Sequence, residues 1–307
     1  MDTIDIVDGH KVKRFFRARN KLTQGNLVSH ITQRAAGKDP CFVEDDDFLC
    51  MLKFLKNSAQ KHDYEIYSFC LMGNHVHLLL RPNQGNLQDV MRDLFSRYAM
   101  RFNRKYERRG HLFGGPYRQA VCLDEAYLMA ASTYIHLNPV KAEIVDDPKE
   151  YRWSSVRLFV DEPEKKSFVN AGFILKMLST DLQVARQKYR NVLEKAAELH
   201  IDYPKAQESG VEDFRKKLIK VFPKIFGKMT TAKTVAKIDG MDILNMQALE
   251  QGINDTVTQY GKRRPGSRLA MKFLIEQLLA RGFKRYEIAE RLRISPKTVY
   301  NILKQKV

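Results

Sequence analysis

Four side chains in this chain have the types and spacing to hold a cation and to attack beside it. His75 and His77 stand two apart in MGNHVHLLLRP (72–82). On a strand, a period of two puts both imidazoles on one face and sends Val76 to the other. Two neighbouring imidazoles suit one divalent ion. Taken alone, an HxH pair reads more often as two half-buried histidines on a sheet. Residues 124–142, DEAYLMAASTYIHLNPVKA, add Tyr134 and Asn138. At i and i+4 these share one helix face, a turn apart. The Asn carbonyl oxygen can complete a cation's coordination, with the phenol beside the group bound there. The plainer alternative makes Tyr127, Tyr134 and Leu137 core residues and Asn138 the cap of a helix stopped by Pro139.

The elements that must position these residues are legible as patterns. Leu27 to Arg34 alternates as a strand. Glu44 to His62 spaces Phe48, Leu52, Leu55 and Ala59 as one helical face, with Asp45, Asp46 and Asp47 in the first turn, where the helix dipole favours anions. Tyr64 to Leu71 and Asn74 to Arg81 read as strands around a hairpin at Met72-Gly73. Leu87 to Arg109 is a long helix, broken by Gly110, Gly114, Gly115 and Pro116. Tyr117 to Cys122 is a short strand, and Asp124 to Asn138 a helix ended by Pro139. Residues 1–25 read as a polar, basic lead-in. The order implies an α+β fold: an antiparallel sheet with helices packed on it, of ferredoxin-like topology. DEPEKK (161–166) is a charged linker. Beyond it the pattern is helical, with a second junction at KRRPGS (262–267) and three helices after it.

A length of 307 residues allows about two domains. Hydrophobic residues at 44% and aromatics at 10% suffice for a buried core, which excludes wholesale disorder. Lys plus Arg total 53 against 36 Asp plus Glu, and the formal charge of +17 favours a polyanionic partner. No apolar run reaches the ~18 residues of a spanning helix, and MDTIDIVDGH lacks the apolar stretch of a signal peptide. No membrane role is expected. Cys41, Cys50, Cys70 and Cys122 are scattered with no CxxC pair, which fits a reducing cytoplasm and argues against a disulfide framework or zinc knuckle.

MGNHVHLLLRP resembles the HUH motif (His, bulky hydrophobe, His) of single-tyrosine transposases. TYIHLNPVKAEIV (133–145) resembles the tyrosine helix of their REP-associated branch, and EYRWSSVRLF (150–159) the segment that follows it. The resemblance covers residues 12–160, about half the chain. It implies an HUH nuclease domain there; beyond it, the helical pattern reads as a connector over 161–249 and as a helix-turn-helix DNA-binding domain over 250–307. It also implies that His75 and His77 bind a divalent ion, Mg²⁺ or Mn²⁺, that Asn138 occupies the place of the third, polar ligand, and that Tyr134 attacks a phosphodiester of single-stranded or hairpin DNA. His136 points off that face and reads as structural. Whether His30, on the first strand, faces the site is left open.

The chemistry asks for these types. A phosphodiester's anionic oxygens repel nucleophiles, and a divalent cation offsets the charge that grows in the transition state. A tyrosine with a pKa of about 10 must be positioned beside that charge to attack at neutral pH. A covalent phosphotyrosine keeps the bond energy, so a strand can be cut and rejoined. The resemblance implies attachment at the 5′ phosphate, with a free 3′ hydroxyl.

Two basic features point to DNA. Arg97, Arg101, Arg104 and Arg108 form one stripe on the long helix, read as lacking carboxylate partners and so as a phosphate-contacting row. Residues 262–307 hold 13 Lys plus Arg against 3 Glu. RYEIAERLRISPKTVYNILKQ (285–305) resembles a helix-turn-helix with Ser295 as N-cap and Pro296 at the first helical position. Its second helix would present Lys297, Thr298, Tyr300, Asn301 and Lys304 to the major groove of duplex DNA. Arg293 stands where such turns usually carry glycine, at a cost of about 1 kcal/mol if that residue is left-handed. The expected function is a transposase-like endonuclease and strand transferase, working as monomer or homodimer. The alternative is a helix-turn-helix regulator on a catalytically silent HUH domain. A nucleotide hydrolase with an HxHxH strand is disfavoured because its third position is Leu79.

Overall fold

The segments read as strands pair in space. The computed structural model describes residues 4–7, 10–13, 15–16, 21–22, 25–37, 39–122, 124–162, 166–199, 210–230, 246–259, 267–280 and 283–304. β1 (Ile4–Val7) and β2 (His10–Lys13) form a separate two-stranded ribbon. β3 (Phe15–Phe16), β4 (Ser29–Arg34), β5 (Tyr64–Met72), β6 (His75–Pro82) and β7 (Arg118–Val121) make one antiparallel sheet in the order β3-β7-β4-β6-β5. α1 (Asp45–His62) connects β4 to β5, and α2 (Leu87–Lys105) connects β6 to β7. Apart from the two-residue edge strand β3, this is the strand order and connectivity of a ferredoxin-like βαββαβ unit.

Local chemistry sets the helix ends. Asp47, in the first turn of α1, accepts from the backbone N–H groups of Val43 and Glu44, and Asp63 closes the helix at φ 52°. α2 stops at Lys105, short of the expected Arg109, because Glu107 (φ 50°) and Gly110 (φ 91°) are left-handed. α3 (Glu125–Lys141) does not stop at Pro139, which lies inside it. The proline removes one backbone donor, but the last turn closes through Ala142 N–H to the Asn138 carbonyl at 2.9 Å. Asn138 is therefore an interior residue of a buried helix, not its cap.

Register decides which side chains meet. Thr32 is opposite His77, which is opposite Cys70, and Arg34 is opposite His75. His30, Thr32, Arg34, His75 and His77 therefore share one face of the sheet, and Gln33 and Val76 lie on the other. α3 lies on the histidine face. α4 (Arg157–Val160), α5 (Ala171–Leu175), α6 (Leu182–Ala197), α7 (Gly210–Val221) and α8 (Pro223–Thr230) extend the same core as far as Met229. A second core unites α9 (Met246–Gln259), α10 (Ser267–Ala280), α11 (Arg285–Arg291) and α12 (Pro296–Lys304). Leu22, Leu27 and Val121 belong to this second core, so the helical module packs against the edge of the sheet domain. In its helix-turn-helix, Arg293 is left-handed at φ 51° and Ser295 Oγ accepts from Thr298 N–H at 3.0 Å. Among the described residues, no helix is long and apolar enough to cross a membrane.

Candidate active site

β6 presents His75 and His77 side by side, with ring centroids 4.9 Å apart and nearly perpendicular. α3 brings the Tyr134 ring to 6.1 Å from His77. One turn on, Asn138 donates its side-chain N–H to the Tyr134 carbonyl at 2.8 Å. The same side chain lies beside both His75 and His77 and opposes the fall in their pKa. The four residues that share a site in the sequence reading therefore share one in space.

The structure adds His30. Its Nε2 is 2.9 Å from His77 Nδ1, and Thr32 Oγ1 is 3.3 Å from the same nitrogen. The His30 ring also lies 6.5 Å from Tyr134. His75 Nδ1 has the Asn74 side-chain oxygen, Oδ1, at 2.6 Å, so it carries the proton and leaves Nε2 with the lone pair. The same tautomer at His77 makes His30 the acceptor. Each histidine is then held from behind at Nδ1 and aimed by Nε2, the arrangement by which an outer partner orients a metal ligand. The signal for His30 was strand parity: it is an even number of residues from Thr32 and Arg34 on β4. Only the β4–β6 register shows which residues of β6 it meets.

The site's electrostatics follow from burial. Burial lowers His30 to about 4. His75 also falls to about 4, through burial first and the Arg34 charge second, with Asn138 opposing. His77 falls well below its ordinary 6.5 through burial, then His75, His30 and Arg34. All three rings are neutral at pH 7, the form that binds a metal. His75 Nε2, His77 Nε2 and the Asn138 oxygen would make a neutral, mixed N/O donor set for one divalent cation, with positions left for substrate oxygens. The site is nearly closed, Tyr134 being 7% exposed, and Phe214 on α7 lies 6.0 Å from its ring. His136 faces away, bonded to the Tyr189 hydroxyl and to Ser155 Oγ at 2.8 Å each.

The arginine stripe does not lack carboxylates. Arg97 pairs with Asp93 at 3.7 Å, Arg101 with Asp46 at 2.5 Å and Arg108 with Asp39 at 2.8 Å. Asp93, one turn before Arg97 on the same helix, was visible in the sequence. Asp39 and Asp46 come from elsewhere in the chain, where helix spacing gives no hint of them. Among the described residues, Arg104 is exposed and meets no carboxylate. Glu44, Asp46 and Asp47 gather near the start of α1, but Lys105 pairs with all three and Arg101 with both aspartates, so the chain's own cations meet that charge. On α12, Lys297 and Asn301 are exposed and Thr298 is partly so. Tyr300 turns instead towards a cavity, with the Arg285 guanidinium 5.7 Å from its ring. Lys304 closes the helix.

Residues 23–138 match the family model described as transposase, IS200-like, and residues 267–305 match that of a homeodomain-like domain. No curated protein matches the chain. Among solved structures it is similar to one titled as the REP-associated tyrosine transposase bound to a REP hairpin. That likeness has 13% identity and a TM-score of 0.40, over 47% of this chain and 84% of the other, too slight to bear on chemistry.

Proposed function

We propose, for a chain that carries an IS200-like transposase domain and a homeodomain-like domain, that it nicks and rejoins single-stranded or hairpin DNA through Tyr134. The observation that carries this reading is the convergence of the Tyr134 ring on His77, at 6.1 Å, with Asn138 beside both histidines. A family match alone would survive without that geometry. The regulator reading would not need it.

The Tyr134 phenol gives up its proton to water as its oxygen attacks the phosphorus, and the P–O3′ bond breaks. The 3′ oxygen leaves as a hydroxyl once it takes a proton. Attack by a 3′ hydroxyl on the phosphotyrosine reverses the step and returns the phenol. His75, His77 and Asn138 would hold Mg²⁺ or Mn²⁺. Bound there, the ion would offset the charge growing on the non-bridging oxygens. His30 and Thr32 fix the His77 ring, and the side-chain N–H of Asn138 ties it to the helix turn that carries Tyr134. Arg34, whose charge is felt at both histidines, is placed to attract the incoming phosphate. A strand reaches Tyr134 once α7, with Phe214, yields at that edge. Lys297, Thr298 and Asn301 supply duplex contacts from the second module, and Arg104 a phosphate contact from α2. The four cysteines are free thiols, which suits a cytoplasmic protein.

The test is cleavage of labelled hairpin oligonucleotides with Mn²⁺. His75→Ala and His77→Ala should abolish cleavage while leaving the fold intact. Cleavage retained in either variant, or in EDTA, would defeat the metal role.

A further inference from the structure

α3 carries both Tyr134 and Asn138, so its rotation about its own axis sets where the phenol and the amide stand against the β6 histidines. Apolar packing alone does not fix that rotation. Every residue from Ala126 to Pro139 is buried. Leu128, Met129, Ala130 and Ala131, at successive steps of about 100°, put apolar surface on every side of the helix, and hydrophobic attraction is non-directional. Directional contacts come from buried hydroxyls and one imidazole on the side away from the histidines. Ser132 Oγ lies 2.8 Å from the Tyr189 hydroxyl, which lies 2.8 Å from His136 Nδ1, and His136 Nε2 lies 2.8 Å from Ser155 Oγ. Ser155 Oγ in turn accepts from Phe69 N–H at 2.9 Å and donates to the Phe69 carbonyl at 3.2 Å. One set of proton positions satisfies all of these bonds: Ser132 donates to Tyr189, Tyr189 to His136 Nδ1, and His136 Nε2–H to Ser155. Phe69 is on β5, next to Cys70, the residue opposite His77. The chain of bonds therefore ties α3 both to the strand beside the histidines and to α6.

We infer that Tyr189, with His136 and Ser155, positions the reacting groups: its hydroxyl holds α3 at the rotation that sets Tyr134 and Asn138 against His75 and His77. The inference rests on the nuclease reading and extends it, giving α6, which lies beyond residues 23–138 of the family match, a part in the site. α6 is held independently of the network. Arg186 donates to the carbonyls of Leu158 and Asp161 at 2.5 and 2.6 Å, and Arg190 to that of Val160 at 2.8 Å. The Tyr189 ring packs on Phe159, with 4.8 Å between centroids. Tyr189 therefore offers α3 a fixed post. Lys141 also reaches the end of α6, donating to the Ala197 and Leu199 carbonyls, but from the last turn of α3 and through a long, flexible stem. Side-chain tips stand about 5–6 Å from a helix axis, so a turn of roughly 10° shifts them by about 1 Å. A displacement of about 1 Å at reacting groups can cost on the order of 100-fold in rate.

The test is Tyr189→Phe in the full chain, which removes one oxygen and keeps the ring. Arg190→Ala is the control, since it loosens α6 at Val160 and leaves the network intact. Both should lower the Tm. Only Tyr189→Phe should slow single-turnover cleavage of a saturating labelled hairpin with Mn²⁺, by about 10- to 100-fold, with DNA affinity within about twofold of wild type. A crystal structure of the metal-free Tyr189→Phe chain should show the Tyr134 oxygen displaced by about 1 Å from its wild-type place. A phenol that stays in place, cleavage undiminished in Tyr189→Phe, or cleavage slowed equally by Arg190→Ala would overturn the inference. Should Tyr189→Phe not fold, Ser132→Ala cuts the network at its end in α3, where alanine suits a helix, and is judged by the same readings. If the wild-type chain does not cleave, the nuclease reading falls, and a displaced Tyr134 oxygen in Tyr189→Phe still upholds the positioning role.

Discussion

His30→Ala removes one imidazole and leaves every direct ligand of the proposed cation in place. In the structure its Nε2 is 2.9 Å from His77 Nδ1, inside a site where His30 is 5% exposed and His77 6%. Without it, the Nδ1–H of His77 keeps only Thr32 Oγ1, at 3.3 Å. An outer partner of this kind is worth about 10- to 100-fold in metal affinity, or roughly 1.4–2.7 kcal/mol. The lost hydrogen bond costs a further ~0.5–1.5 kcal/mol of folding stability. Mn²⁺ affinity, read from the electron paramagnetic resonance signal of free Mn²⁺, should fall by that factor in His30→Ala. His30→Gln, whose amide oxygen reaches about where Nε2 stood, should recover most of it. Urea unfolding without metal separates the stability loss from the affinity loss. Equal Mn²⁺ affinity in wild type and His30→Ala would refute the orienting role. So would a Gln variant no better than Ala.

Three other perturbations follow from the same geometry. Arg104→Ala should weaken DNA binding and reduce the slope of log affinity against log salt by about 1, whereas Arg101→Ala, which loses its pairs with Asp46 and Asp47, should chiefly lower stability. Salt titrations and urea melts of both variants distinguish these effects, and a reversed pattern would restore Arg101 as a phosphate contact. Lys297→Ala with Asn301→Ala should weaken duplex binding and leave the fold unchanged by circular dichroism; undiminished duplex affinity would remove α12 from the groove. Such substitutions are cleaner than deleting 262–307, which would uncover Leu22, Leu27 and Val121. Phe214→Leu should loosen the cover over Tyr134 and speed single-turnover cleavage several-fold, whereas slower cleavage would make Phe214 a support for the tyrosine.

The sheet was legible because Leu27 to Arg34 alternates and β5 and β6 are short apolar runs on either side of a turn, and the i, i+4 spacing of Tyr134 and Asn138 fixed their common face. What could not be read is what depends on pairing between distant segments. His30 meets His77 only through the β4–β6 register, and Asp46 meets Arg101 only because α1 and α2 pack together. Pro139 misled for a different reason. Its missing donor costs one hydrogen bond, but α3 is buried along nearly its whole length, and packing carries the helix on to Lys141. The left-handed Arg293 was readable as a demand of the turn, and the backbone meets that demand at φ 51°. β3 is two residues long and carried no alternation to see.

The central claim is that the Tyr134 oxygen takes up the DNA. The chain incubated with a labelled single-stranded hairpin and Mn²⁺, digested, and mapped by mass spectrometry should yield a nucleotide-modified peptide whose adduct sits on Tyr134, and Tyr134→Phe should yield none. An adduct on another residue, or one that persists in Tyr134→Phe, would contradict the account.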